Sequence, residues 1–246
     1  TDQESAANQR QRLPRFGGCS GGGGSGSLLN ANEAGCIAVA NLAAMAQFPV
    51  PNTSITLSKF NPAGTTTANN VALPDHCQIQ GIAGAYPGAD KVSYGASFEL
   101  RLPLNWNGRF MFQGGGGNEG SVPAATGAAG SLSPTLAKGW AVVSQDGGHA
   151  NSVLTAAGKS TLDFLSEPTA FAEWATGSID KTTQTAKFLI NTLYGRPPDR
   201  SYSVGCSTGG RQGMVFCQKF SGYFDGIVAG DPVFDLTAMP QGITHA

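Results

Sequence analysis

The sequence has little charge and no long apolar run. Only 13% of its 246 residues are charged and the formal net charge is −1, which argues against a nucleic acid or an anionic membrane surface as partner. No apolar run approaches the ~18 residues of a transmembrane helix, and residues 1–15 lack the apolar centre of a signal peptide. The chain is therefore expected to be cytosolic, or to be the mature part of a secreted protein.

Cysteine is scarce, and its spacing predicts no metal site. The five cysteines, at positions 19, 36, 77, 206 and 217, form neither a C-x-x-C pair nor part of a histidine cluster. A compartment that permits disulfides explains them better than the cytosol. Cys36 and Cys77 flank a stretch rich in Pro, Thr and Asn, and we predict a disulfide between them, worth ~3–4 kcal/mol; two unpaired thiols are the alternative. The odd number leaves at least one cysteine free or bonded outside this chain.

Glycine, in contrast, is abundant, with 35 residues. The SGGGGSGS segment at 20–27 has no side chains with which to build a core, so residues 1–30 are predicted to be a flexible tail and residues 31–246 one folded unit. Within that unit, residues 32–48 are predicted to be helical and residues 52–70 to form a loop.

From Cys77 onward, short apolar runs alternate with helical patterns, which is typical of a mainly parallel α/β sheet. Strands are predicted at 78–85, 92–102, 109–113, 140–144, 202–205 and 224–230, and helices at 133–138, 179–194 and 211–220. The runs at 140–144 and 224–230 are apolar enough to predict strands buried on both faces.

The segment 202–213 combines a strand, a sharp turn and a helix around Ser207. Residues 205–209 fit the G-x-S-x-G pattern of a nucleophile elbow, in which a strained turn exposes the serine Oγ. Glycines two residues before and after Ser207 let the strand and the helix approach closely. Because the chain is rich in glycine, an ordinary strand-to-helix turn remains the alternative.

A nucleophilic serine also needs oxyanion donors and a base. The N–H of Thr208 is one expected donor, and the four glycines at 114–117, directly after a predicted strand, occupy the place of the second; a loose turn is the alternative. For the base, His245 beside the C-terminus is a poor candidate. His149 could contact substrate, although a role in loop architecture is favoured, and His76 is predicted to be structural.

Several motifs, in order from about Cys36 to the end, resemble the tannase and feruloyl esterase family. They are PDHC at 74–77, LPLNWNGRF at 102–110, GGGGN at 114–118, DGGH at 146–149, YG at 194–195, GCSTGGRQG at 205–213 and FDGIVAGDP at 224–232. The resemblance implies the N-terminal portion of an α/β-hydrolase core, with Ser207 as nucleophile and the N–H groups of Thr208 and Gly117 as oxyanion hole. It also implies secretion to an oxidising compartment.

In that family Cys206 would bond to a cysteine beside the catalytic histidine. That cysteine, the histidine, the catalytic aspartate and a calcium-containing lid would lie beyond Ala246, so the core is expected to stop after the strand that follows the nucleophile helix. No cofactor is expected in this chain. Cys19 and Cys217 stay unassigned.

The resemblance implies a secreted serine carboxylic-ester hydrolase that cleaves hydroxycinnamoyl (feruloyl-type) esters through an acyl-enzyme. Its partners would be a small aromatic ester and the downstream part of the same polypeptide, or a second chain, carrying the aspartate and histidine. Residues 206–212 are closer to the feruloyl esterase form of the elbow than to the terephthalate-ester form, in which an acidic residue commonly follows the serine. Hydrolysis of terephthalate monoesters or galloyl esters is one alternative; an inactive fragment or binding module is the other.

Overall fold

The computed structural model describes residues 32–44, 48–128 and 133–233. In chain order the elements are helix α1 (Glu33–Ala38), a 3₁₀ helix (Val39–Ala44), strands β1 (Ser54–Asn61), β2 (Thr67–Ala68), β3 (Val71–Ala72), β4 (His76–Pro87), β5 (Ser93–Pro103) and β6 (Arg109–Gln113), a 3₁₀ turn (Leu136–Lys138), β7 (Ala141–Gln145), α2 (Asn151–Ala156), a 3₁₀ turn (Asp163–Ser166), α3 (Pro168–Ala172), a π-helical segment (Glu173–Gly177), α4 (Ser178–Tyr194), β8 (Arg200–Cys206), α5 (Thr208–Lys219) and β9 (Gly226–Gly230).

Seven strands form one sheet in the order β1-β4-β5-β7-β6-β8-β9, while β2 and β3 form a separate hairpin. Strands β1, β4 and β5 pair antiparallel, and we call them the antiparallel half. Strands β7, β6, β8 and β9 pair parallel, and we call them the parallel half. The two halves meet where β5 pairs antiparallel with β7. The predicted parallel pairing is therefore found in the half that carries Ser207.

The helices pack on the sheet through its apolar side chains. Helix α4 contacts β4, β5 and β7, and α5 contacts β8 and β9. Phe110 and Phe112 join the large core cluster with both helices, while Met111 between them belongs to a second cluster with Leu136 and Val142. This alternation follows from the strand period of two, which sends successive side chains to opposite faces of the sheet.

Most of the predicted elements are present, with shifted ends. All six predicted strands form, and the helix predicted at 179–194 is α4, which ends at Gly195 in the left-handed conformation (φ 71°). The helix predicted at 211–220 begins earlier, directly after Ser207. The helix predicted at 32–48 is only α1 and the 3₁₀ helix after it, and the one predicted at 133–138 is a 3₁₀ turn.

Two predictions from the pattern were wrong. The loop predicted at 52–70 contains β1, which pairs with β4 along its whole length. Strand β9, predicted to be buried on both faces, has partly exposed residues, and Val228 is 60% exposed. The reason is its position: β9 is the outermost strand of the described sheet, and α5 packs beside it.

The predicted disulfide is confirmed: Cys36 of α1 is bonded to Cys77 of β4, with their Cα atoms 5.4 Å apart. In the part of the chain that the structure describes, the thiols of Cys206 and Cys217 are free and exposed. The predicted tail at 1–30, and Cys19 with it, lies outside the described residues. No helix of the described ranges is long and apolar enough to cross a membrane.

Candidate active site

Ser207 lies at the turn between β8 and α5 with a backbone that side-chain-bearing residues rarely adopt. Its φ is 58° and its ψ is −117°, and it is exposed. Such a conformation costs on the order of 1–3 kcal/mol and persists only where the surroundings hold it. Here the Ser207 N–H donates to the Gly230 carbonyl (3.0 Å), and the Ser207 carbonyl accepts from the Arg211 N–H (2.9 Å). The predicted strained turn is therefore present and is fixed at both ends.

The residues at 114–117, which we call the glycine loop, pack directly on this turn. A Cβ at Gly205 would lie 2.7 Å from the Gly209 Cα, and a Cβ at Gly114 would lie equally close to that atom. Real Cβ atoms do not approach so closely, so strand end, helix start and loop touch through bare backbone. The Gly209 N–H donates to the Gly115 carbonyl (2.9 Å) across this contact.

The two residues predicted to form the oxyanion hole are neighbours. The Thr208 hydroxyl donates to the Gly117 carbonyl, and Gly117 adopts φ 58°. A Cβ added at Gly116 or Gly117 would meet nothing within 4 Å, so this side of the glycine loop is open. The arrangement puts both residues beside Ser207; their role as oxyanion donors stays a prediction.

A groove of about 570 Å³ opens next to the elbow, along the sheet face that carries Met111. Its lining is mainly apolar and includes Met111, Val204 and Val228, together with Gln113, Cys206 and part of the glycine loop. The groove is large enough for a small apolar ligand.

The site has a buried polar layer beneath it that the sequence did not reveal. The carboxyl of Glu119 accepts from the side-chain amides of Gln212 on α5 (2.7 Å) and Gln145 on β7 (2.6 Å). Burial raises the pKa of Glu119 to about 8. Glu119 follows the glycine loop with φ 60°, and its N–H donates to the Gly116 carbonyl (3.1 Å). A polar residue at the end of a glycine run was the only available signal, and it does not distinguish a buried carboxyl from an exposed one.

Arg211 joins the elbow helix to the long helical stretch opposite. Its guanidinium donates to the carbonyls of Trp174 (3.2 Å) and Ala175 (3.0 Å) and lies 4.1 Å from the centre of the Trp174 ring. Both carbonyls belong to the π-helical segment, a type of distortion common at functional sites. Burial lowers the pKa of Arg211. Arg211 therefore anchors the start of α5 to the π-helical segment.

The two described histidines are buried and make no hydrogen bond to Ser207. The His149 ring stacks on Phe164 with centroids 3.6 Å apart, and burial lowers its pKa to about 4. His76 is fully buried, with Nδ1 2.7 Å from the Pro74 carbonyl oxygen, in keeping with the structural role predicted for it. Neither hydrogen-bonds to Ser207, which favours the architectural interpretation of His149.

The loop before His149 is organised by Asp146. Its Oδ1 accepts from the N–H groups of Ser97 (3.0 Å) and Gly148 (2.9 Å), and burial raises its pKa to about 7. His245, the weaker candidate for the base, lies outside the described residues. Within the ranges that the structure covers, no three His, Cys, Asp or Glu side chains are grouped so as to hold a metal ion.

Cys206 lies beside Ser207 and is exposed, its Sγ 4.0 Å from an Asp231 carboxyl oxygen. A thiol in this position is accessible to a second cysteine. The pairing of Cys206 with a cysteine beyond Ala246 stays a prediction.

Comparison with known proteins extends the picture. Residues 80–242 match the family model described as tannase and feruloyl esterase. The chain is 37% identical over 209 residues to a mono(2-hydroxyethyl) terephthalate hydrolase of Piscinibacter sakaiensis, covering 84% of this chain and 35% of that protein. It is 32% identical over 206 residues to a probable feruloyl esterase B-2 of Neosartorya fischeri, covering 80% and 36%.

Solved structures agree. An esterase from Aspergillus oryzae superposes with a TM-score of 0.66 at 26% identity, over 85% of this chain and 40% of that one. Feruloyl esterase B from the same organism gives 0.63 at 27% identity, over 82% and 37%. The chain spans well under half the length of these relatives. The predicted α/β-hydrolase core is confirmed, and the chain belongs to the tannase and feruloyl esterase family.

Proposed function

We propose that this chain carries the nucleophile side of the active site of a serine carboxylic-ester hydrolase. The observation that carries the proposal is the Ser207 turn, an exposed serine with φ 58° between β8 and α5, with the glycine loop packed against it. A strained strand-to-helix turn of this kind presents a nucleophile above a parallel sheet. The family to which the chain belongs supports the same reaction class.

The chemistry assigns each group one step. The Ser207 Oγ attacks the ester carbonyl carbon while its proton passes to a histidine base. The negative charge that forms on the carbonyl oxygen is stabilised by the N–H groups of Thr208 and Gly117. The alcohol leaves with the proton returned by the histidine, and the acyl group stays on Ser207 until water, activated by the same base, releases the acid.

We place the histidine and its aspartate partner beyond Ala246 or on a second chain. Three observations support this placement. The buried His149, with its pKa lowered to about 4 and its ring stacked on Phe164, is unsuited to the task. The chain spans 35% to 40% of its relatives' length. The exposed Cys206 is available to tie such a segment to the elbow.

For the substrate we favour aromatic esters of the hydroxycinnamoyl (feruloyl) type. Feruloyl esterases recur among the relatives. The resemblance of residues 206–212 to the feruloyl esterase form of the elbow, with Thr208 after the serine, supports the same substrate class. The apolar groove beside the elbow suits an aromatic group. The 37% identity to a terephthalate monoester hydrolase keeps that substrate as the second candidate. Secretion belongs to the same proposal and is supported by the Cys36–Cys77 disulfide.

The test uses a chromogenic aryl ester and a serine-directed phosphonate on the chain alone and on the full-length gene product. Labelling at Ser207 and turnover in the full-length protein, with neither in the chain alone, is the expected result. Absence of both in every preparation would overturn the esterase proposal and favour a binding module. Turnover of methyl ferulate, methyl gallate and a terephthalate monoester then ranks the substrates, and equal rates on all three would contradict the feruloyl preference.

A further inference from the structure

The glycine loop is held by a chain of side-chain hydrogen bonds that crosses from α5 to β7. The Gly115 N–H donates to Gln212 Oε1 (3.1 Å), and Gln212 Nε2 donates to Glu119 Oε1 (2.7 Å). From the other side, the Gly147 N–H donates to Gln145 Oε1, and Gln145 Nε2 donates to Glu119 Oε2 (2.6 Å). Gln145 and Gln212 are both 1% exposed, so water does not compete for these bonds.

The direction of every bond in this chain is fixed by its two ends. A backbone N–H can only donate, so each glutamine must turn its oxygen to the backbone and its NH₂ group to Glu119. Position 119 must therefore accept on both of its terminal atoms. A carboxyl group does so whether or not it carries a proton, because each oxygen keeps a lone pair, whereas the NH₂ group of a glutamine side chain cannot accept.

We propose that Glu119 is a positioning residue that holds the glycine loop in register with the Ser207 turn through this hydrogen-bond chain of fixed polarity. The role deepens the proposed function, on which it rests, because the loop supplies the Gly117 N–H. Glu119 itself need not touch the substrate. It acts through Gln212 on Gly115, two residues from the predicted oxyanion donor.

Two further contacts support a positioning role over simple filling of space. The Glu119 carboxyl lies against the loop, since a Cβ at Gly115 would be 2.3 Å from its Oε2. The next residue is also anchored, because the Gly120 N–H donates to the Asp146 carbonyl (2.7 Å). The loop is thus tied to α5 at Gly115 and to the end of β7 just beyond Glu119.

The decisive experiment exchanges acid and amide. In Glu119→Gln the new NH₂ group faces the NH₂ group of Gln212 or Gln145. If that glutamine flips its own amide, its NH₂ group faces the backbone N–H of Gly115 or Gly147 instead. In Gln212→Glu two carboxyl groups meet and can share one proton, so this variant only completes the cycle, and Glu119→Gln is the variant that must break the chain. In the double variant Glu119→Gln/Gln212→Glu every donor again has an acceptor, because the new carboxyl accepts from Gly115 and from the new amide. The pair Glu119→Gln/Gln145→Glu restores the polarity from the other side.

The measurements are hydrogen exchange of the loop amides and the steady-state kinetics of the full-length gene product. For Glu119→Gln we expect exchange at Gly115 to be at least about tenfold faster, and kcat to fall about 10- to 100-fold with little change in KM. Both swapped pairs should bring exchange and kcat back to within about threefold of the starting protein. Glu99→Gln is the matched control, because Glu99 is also buried and also accepts from two glutamines, Gln78 and Gln80, without reaching the loop. It should lower the melting temperature and leave loop exchange unchanged.

The outcomes separate this proposal from the esterase proposal. Unchanged exchange and kcat in Glu119→Gln, or swapped pairs as impaired as Glu119→Gln, would overturn the hydrogen-bond chain even if the protein hydrolyses esters. If the unaltered protein hydrolyses no ester, the function fails while the exchange data still decide the role of Glu119. Should a single variant not fold, folding of the swapped pairs supports the proposal and their failure to fold contradicts it.

Discussion

The two halves of the sheet place their stabilising contacts differently. In the antiparallel half, long strands pair side by side, β4 packs against α1, and the Cys36–Cys77 disulfide joins these two elements. In the parallel half the strands are short, and the contacts that matter for the site are between backbones at their carboxyl ends, where Gly205, Gly209 and the glycine loop meet. The antiparallel half is therefore stabilised by side-chain packing and a disulfide. The shape of the site in the parallel half depends instead on glycines, which lack side chains.

Two glutamates whose carboxyl groups are enclosed show the same difference. Glu99, in the antiparallel half, accepts from Gln78, Gln80, the Arg101 guanidinium and the Ala125 N–H. Burial alone raises the pKa of Glu99, but these donors bring its pKa below the ordinary value. Glu119 has two amide donors, and there burial prevails and raises the pKa to about 8. The Arg101 guanidinium and the added Ala125 N–H therefore favour the charged form of Glu99, whereas the two amide donors of Glu119 do not offset its burial.

The largest expected effect is a loss of activity on replacing Ser207, with both halves of the sheet still folded. Ser207→Ala should lower ester hydrolysis by the full-length protein by about 10³-fold or more, because the acyl-enzyme cannot form. The melting temperature should hardly change, since the side chain is exposed. Rates with a chromogenic ester test this, with Ser221→Ala, an exposed serine in the turn after α5, as control. Retention of full activity in Ser207→Ala would remove the serine from the mechanism.

Removal of the disulfide should weaken the antiparallel half. Replacing Cys36 and Cys77 together by serine frees a loop of 41 residues and should lower the free energy of unfolding by about 4 kcal/mol. Urea denaturation without reductant measures the loss, and Cys217→Ser, at an exposed free thiol, should stay within about 0.5 kcal/mol. A loss as small as that of the control would show that the packing of α1 on the sheet suffices.

The dependence of stability on pH should reveal the buried acid at the junction of the halves. Asp146 keeps its proton in the folded state up to about pH 7, whereas the unfolded chain loses it near pH 3.8. The unfolded state then binds fewer protons, so the free energy of unfolding should fall as the pH rises between these values, by about 4 kcal/mol from this group. Asp146→Asn keeps an acceptor for Ser97 and Gly148 and should flatten the slope. Denaturation curves at pH 4, 5, 6 and 7 provide the test; parallel slopes in both proteins would contradict it.

The smallest expected effect concerns the backbone contact in the parallel half. Gly205→Ala places a Cβ against Gly209 and should destabilise the protein by about 2 kcal/mol. Gly116→Ala is the matched control, because its Cβ meets nothing within 4 Å, and it should cost about 0.5 kcal/mol or less. Thermal melting of the two variants compares them directly. Equal losses would mean that the loop and the elbow do not depend on this close approach.

Local patterns predicted the elbow well, because the information lies within one short segment. Strand, turn and helix at 202–213 follow from neighbouring residues, and the positive φ of Ser207 agrees with the motif. Strand β1 was missed because Ile55, Leu57 and Phe60 make a weak pattern and its pairing with β4 is distant in sequence. The exposure of β9 was missed because apolar composition does not tell a central strand from an edge strand.

The polar layer under the site could not be predicted for a related reason. Glu119, Gln145 and Gln212 come from a loop, a strand and a helix that meet only in the folded chain. Each alone is an ordinary polar residue that composition would place on the surface. The π-helical segment that receives Arg211 likewise has no local signature in the sequence.

The hydrogen bond from the Ser207 N–H to the Gly230 carbonyl limits where this protein can be cut into two complementing fragments. A fragment that ends before β9 would lose the acceptor that fixes the serine's backbone angle. It would also remove the close packing at Gly210, where an added Cβ would lie 2.2 Å from the Gly230 carbonyl oxygen and 2.9 Å from the Pro232 Cα. In a split-protein design, the first fragment must therefore extend through Pro232 for its serine to be preset when the complementing fragment arrives.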